Sequence, residues 1–129
     1  MNKSEFNFYK ENIQSLLKFL VKNNYTSKPY PKILLNDKPQ SEKVVINTGY
    51  YDPESKTVVI FTKNRHIKDC LRSFAHECIH HKQNLEGRLG DGAYSGQRIT
   101  EDKKLIKLEE EAYLKGNIGF RQWTESIKK

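Results

Sequence analysis

The stretch SFAHECIHH, residues 73–81, decides how this chain is read. It continues an apolar stripe of Ile67, Leu71, Phe74, Ala75, Cys78 and Leu85 that recurs at helical spacing, and neither glycine nor proline interrupts it. The spacing predicts a helix from about His66 to Leu85. Within it, His76-Glu77-Cys78-Ile79-His80 has the form H-E-x-x-H. Two histidines four apart on a helix point the same way, one turn above the other, so both imidazoles reach a single metal ion. Glu77 is rotated by roughly 100° from His76, which sets its carboxylate beside such a metal, where it takes a proton from water. His76 and His80 are therefore candidate metal ligands and Glu77 the candidate catalytic base.

A catalytic zinc keeps three protein ligands and one open position, so the sequence downstream has to supply a third. A further helix is expected to open at Thr100-Glu101, with Leu105, Leu108 and Ala112 as its apolar face, and to end near Gly116-Asn117. A separate short helical piece is expected around Phe120 to Ile127. The run Glu109-Glu110-Glu111 falls in the middle of the first of these. On a helical wheel Glu109 lies among the inward residues, while Glu110 and Glu111 point away. An ion among apolar side chains is costly unless paired, so Glu109 faces either a metal or an inward arginine or lysine.

Upstream, Phe6, Ile13, Leu16, Leu17, Leu20 and Val21 mark an amphipathic helix from Ser4, read as its cap, to about Asn24. Pro29 and Pro31 end that pattern. KILLN, residues 32–36, reads as a short buried strand. The segments 43–51 and 56–62 are rich in β-branched and aromatic residues and flank the turn-forming DPES, which predicts a β-hairpin. Residues 86–99, EGRLGDGAYSGQRI, hold four of the seven glycines and no periodic apolar face, and read as a flexible surface loop. The expected fold is α+β: an N-terminal helix, a small three-stranded sheet with a hairpin, the H-E-x-x-H helix and a glutamate helix. At 129 residues the chain is expected to form one domain, 1–129.

This arrangement resembles the gluzincins, zinc peptidases in which H-E-x-x-H on one helix is joined by a glutamate from a later helix. There the glutamate helix typically reads E-x-x-small, which Glu109 followed by Ala112 matches. The resemblance covers roughly residues 40–115, and the order of elements is similar to a minimal, single-domain zincin-like fold. The chain is also similar to small proteins of this type in tailed phages, which implies action in a host cytoplasm. What the resemblance implies is Zn2+ held by His76, His80 and Glu109, with Glu77 as general base. The implied reaction is hydrolysis of a protein or peptide substrate without a covalent intermediate, its backbone aligned along an edge strand, either 43–51 or 56–62. Many relatives carry an aspartate four residues after the ligand glutamate, to orient a ligand histidine; here that position is Tyr113. Tyr113, Tyr94, His81 and His66 are the candidates for stabilising the oxyanion, none singled out by spacing.

Composition narrows the alternatives. The chain is 36% hydrophobic and 30% charged, with seven tyrosines, six phenylalanines and one tryptophan, which suits a folded polar domain rather than a disordered segment. No run approaches the roughly 18 apolar residues of a membrane span, and MNKSEFNFYKENIQ lacks the apolar centre of a signal peptide, so a cytoplasmic protein with no membrane partner is expected. Cys70 and Cys78 lie about 12 Å apart along one helix, too far for a disulfide. The net charge of +7 raises nucleic acid as a partner. The lysines are scattered, however, with no run longer than two, which favours a solvated basic surface. Two other functional classes stay open at this point: a non-catalytic metal-binding or interaction module, and a nucleic-acid-associated protein. His81 is expected to pack or be solvated rather than to ligate, His66 to be a surface or capping residue, Cys78 to fill space, and Trp123 to pack the C-terminal segment.

Overall fold

The computed structural model describes residues 1–38, 48–89 and 103–128. In chain order they form α1 (Lys3–Lys22), β1 (Lys32–Asn36), β2 (Gly49–Asp52), β3 (Thr57–Phe61), α2 (Ile67–Leu85) and α3 (Lys103–Ser126). The class is α+β, three helices with a small mixed sheet. Residues 43–47 of the expected hairpin strand, and the expected loop from 90 to 99 with Tyr94, lie outside the described residues, as do Thr100 and Glu101.

α1 buries Ile13, Leu16, Leu17 and Leu20, as expected from periodicity, and Tyr9 with them. Its cap is Asn2, whose side chain accepts from the Glu5 amide at 2.8 Å, and Ser4 falls inside the first turn. Phe6, expected on the buried stripe, is 46% exposed; Tyr9 takes the inward place one turn later.

β3 is the central strand. It pairs with β1 in parallel and with β2 antiparallel, giving the order β1-β3-β2. The hairpin forms as expected, with the Asp52 carboxylate accepting from the Glu54 amide and the Ser55 hydroxyl in the turn. Two expectations are corrected. Segment 56–62 is not an edge, because it is paired on both sides. β1 is not a buried strand: Ile33 and Leu34 are 37% and 54% exposed, since α2 packs on β2 and β3 and leaves β1 outside the helical layer.

The helices and the sheet share one apolar cluster, running from Leu16 and Leu20 through Val58 and Ile60 to Phe74, Cys78, Leu108 and Trp123. Trp123 is buried, as expected, and donates its indole N–H to the Ser15 hydroxyl at 3.0 Å. Leu89, in the segment read as surface loop, is buried in the same cluster.

α3 departs most from expectation. It does not stop at Gly116-Asn117 and restart near Phe120, but runs unbroken to Ser126. Gly116 is buried against α2: a Cβ there would lie 2.9 Å from the His76 Cα and 3.1 Å from its nitrogen. Gly119 faces α1, where a Cβ would lie 2.8 Å from a Leu20 methyl. Each glycine costs the helix about 1 kcal/mol in propensity, and each is placed where a neighbouring helix presses too closely for a side chain. Close approach outweighs propensity, and the helix continues.

Candidate metal centre

α2 carries His76, Glu77 and His80 on one side, and its start is pinned by two devices. His66 caps it, its Nδ1 accepting from the Lys68 amide at 3.0 Å, as expected. Arg65 then donates to the carbonyls of Thr48, Phe61 and Asp69 and to the Ser73 hydroxyl, at 2.7 to 3.1 Å, which ties the sheet to the first turns of the helix. Because α3 crosses α2 in contact at Gly116, Glu109, two turns earlier on α3, comes down over the two histidines.

The three candidate ligands converge. His76 Nε2 lies 2.7 Å from one Glu109 carboxylate oxygen and His80 Nε2 3.0 Å from the other. One donor atom from each of the three lies within 4.8 Å of the others. His80 is fully buried, and the His76 and Glu109 side chains are each 15% exposed, so the cluster opens to solvent on one side only. The two imidazoles meet edge to face with centroids 5.0 Å apart.

The electrostatics follow from that geometry. Burial alone would raise the Glu109 pKa, but the hydrogen bonds and charges of His76 and His80 overcome it and hold the carboxyl well below the usual range. At His80 burial works to lower the pKa, and the Glu109 hydrogen bond with the Glu77 and Glu109 charges reverses it, for a net rise. Glu77 is 6% exposed. Burial pushes its carboxyl up, the histidines pull it down, Glu109 pushes it up again, and the net shift is upward. No hydrogen bond holds its carboxylate among the described residues. Every fully enclosed side-chain nitrogen or oxygen there has a partner, so the Glu77 oxygens keep their contact with solvent.

His81 is buried and takes no part in the cluster. Its Nε2 donates to the Pro29 carbonyl at 2.7 Å, which leaves Nδ1 to accept from the Tyr51 hydroxyl at 2.8 Å. It packs rather than ligates, and burial lowers its pKa. His66, spent on the cap, and His81, enclosed by its partners, are thereby removed as oxyanion candidates. Tyr113 remains beside the cluster, its ring centroid 4.5 Å from that of His76 and its side chain exposed. Cys78 fills space, fully buried.

Three residues around the cluster escaped the sequence reading. Gln83, fully buried, lies 2.9 Å from His80 Nδ1. Glu111, expected to point away from the domain, accepts from Gln83 and takes both arms of the Arg88 guanidinium at 2.8 and 3.0 Å. It flanks the inward stripe of α3 on the side opposite Glu109. A signal for Gln83 exists in the sequence, since it follows His80 by three residues on the same helical face. Glu111 and Arg88 carry none, because their meeting depends on how α3 crosses α2.

Comparison with protein-family models, with curated proteins and with solved structures finds no match to this chain. Among the described residues no helix is long and apolar enough to cross a membrane.

Proposed function

We propose that this chain is a zinc-dependent peptidase of the gluzincin kind, with a zincin-like arrangement reduced to three helices and a small sheet. The observation that carries the reading is the convergence of His76 Nε2, His80 Nε2 and the Glu109 carboxylate beside Glu77. Two imidazoles and one carboxylate are the donor set of a hydrolytic zinc site with an open position. The donors fit in separation as well: metal–ligand bonds of about 2.0 to 2.2 Å span atoms spaced as these are once each withdraws by a few tenths of an ångström.

Zinc bound there supplies Lewis acidity, polarising a scissile carbonyl and acidifying a water molecule. The chain's own groups do the rest. Glu77 removes the proton as the water oxygen bonds to the carbonyl carbon, then delivers it to the leaving nitrogen as the C–N bond breaks. Its largely buried carboxylate, with no hydrogen bond among the described residues and a raised pKa, is suited to holding that proton between the two steps. The substrate backbone adds to the β2 edge, the outer strand that packs on α2. The tilted Tyr113 ring walls the open side over His76. Two free, buried cysteines suit a reducing cytoplasm as the place of action.

The test is elemental analysis of purified protein after dialysis, followed by peptide hydrolysis. Wild type is expected to hold one zinc per chain, with His76→Ala and Glu109→Ala losing it. Glu77→Gln is expected to keep the zinc while hydrolysis falls by about 10²–10⁴-fold. A wild type that takes up no zinc when it is offered overturns the reading; zinc retained with equal hydrolysis by Glu77→Gln removes the catalytic part.

A further inference from the structure

A histidine that binds a metal through one ring nitrogen must carry its proton on the other, and whatever accepts that proton fixes both tautomer and ring angle. At His80 the neighbour of Nδ1 is the Gln83 side-chain amide, 2.9 Å away. Which end of the amide faces the imidazole follows from what the other end touches. That end lies 3.0 Å from the Leu108 carbonyl and 3.0 Å from a Glu111 carboxylate oxygen. Both are acceptors only, so the end between them is the NH2 group, and the oxygen faces His80. An amide oxygen accepts, so Nδ1 bears a hydrogen, and Nε2 is turned toward Glu109 and His76; the Glu109 carboxylate 3.0 Å away also accepts, so without metal Nε2 bears a second hydrogen, in the place a metal ion would take. Glu111 cannot turn away, because Arg88 grips it with both guanidinium arms. His80 and Gln83 are both fully buried, so water cannot substitute for the amide.

We infer that Gln83, anchored by Glu111 and Arg88, is the positioning residue that holds the His80 ring by its Nδ1–H, with Nε2 presented to the metal. The inference deepens the zinc reading above and rests on it for its functional meaning. Gln83 thereby takes on, from α2, the task that an aspartate at the place of Tyr113 performs in many gluzincins. Among the described residues no hydrogen bond reaches His76 Nδ1, so the orientation of the pair depends on His80.

The test uses the full chain and two readouts. Zinc affinity is measured by competition with a chromophoric chelator, and the His80 Nδ1 hydrogen is read from proton–nitrogen NMR as a downfield resonance protected from exchange with solvent. Wild type is expected to show that protected Nδ1–H, with or without zinc. Gln83→Met, similar in volume but without the acceptor, is expected to weaken zinc by about 10–100-fold and to lose the protection of the Nδ1 hydrogen. The exchange Gln83→Glu with Glu111→Gln returns an acceptor to Nδ1 and a donor to its other oxygen, and is expected to restore affinity to within a few-fold. Rescue of this kind would not follow from a merely space-filling role. Wild-type His80 without a hydrogen on Nδ1 overturns the inference even if no variant folds, as does a Gln83→Met protein with unchanged affinity and unchanged protection. Should wild type bind no zinc, the proposed function fails, and the protection of the Nδ1 hydrogen in the metal-free protein still decides whether Gln83 orients His80.

Discussion

Gly116→Ala tests whether the close crossing of α2 and α3 holds the candidate centre together. In an unconstrained helix interior the substitution would stabilise by about 1 kcal/mol, through propensity alone. Here the new Cβ would lie 2.9 Å from the His76 Cα, where ordinary contact begins at 3.4 Å, so α3 must withdraw by about 3.4 − 2.9 = 0.5 Å. The obstructing atoms are backbone and cannot rotate aside. Overpacking of that kind costs about 1–3 kcal/mol; at the upper end, set against the propensity gain, the net loss is about 1–2 kcal/mol. For a domain of this size that lowers the melting temperature by roughly 3–8 °C. The same withdrawal carries Glu109 away from the histidines by more than the roughly 0.2 Å that ligand distances tolerate, so zinc affinity falls together with stability. Gly119→Ala is the control, because its nearest obstacle is a Leu20 methyl at the end of a flexible side chain. It is expected to change stability by less and to leave zinc affinity alone. Thermal denaturation without metal and chelator competition with it measure both quantities. A Gly116→Ala protein as stable as wild type, with equal zinc affinity, refutes the argument.

Two further outcomes are expected. Arg65→Lys leaves a point charge where a planar fork now serves four acceptors across β3 and α2; a loss of about 2–3 kcal/mol in urea denaturation is expected, and a loss under 0.5 kcal/mol would show the fork to be dispensable. Tyr9 has its pKa pushed up from 10.0 to about 12, chiefly by burial and then by its contact with Cys70. The folded state therefore prefers the neutral phenol: its contribution is complete below pH 10 and is lost as pH rises from 10 toward 12. Stability of wild type should fall more steeply over that interval than stability of Tyr9→Phe, and parallel curves would contradict the burial argument.

How much of this was legible in the sequence depends on the range of the interaction concerned. Helical periodicity placed α1 and α2 and set His76, Glu77 and His80 on one side of a turn, because the geometry of an α-helix fixes residues one and four apart without help from the rest of the chain. The DPES turn between two β-prone segments fixed the hairpin for the same local reason, and the cost of an unpaired ion on an apolar stripe singled out Glu109 before any contact was known. What required tertiary structure was everything decided by contact between elements. Gly116 and Gly119 signal a helix end when only local propensity is weighed; pressed against His76 and Leu20, they are the reason α3 can continue. KILLN has the composition of a buried strand, but α2 covers only β2 and β3, so β1 is left exposed at the sheet edge. Glu111 on its own wheel faces outward and meets Gln83 and Arg88 only because α3 crosses α2 at Gly116. Local spacing determined which residues hold the candidate ligands, and the crossing of two helices, set by atoms far apart in sequence, decided that those ligands meet and what orients them.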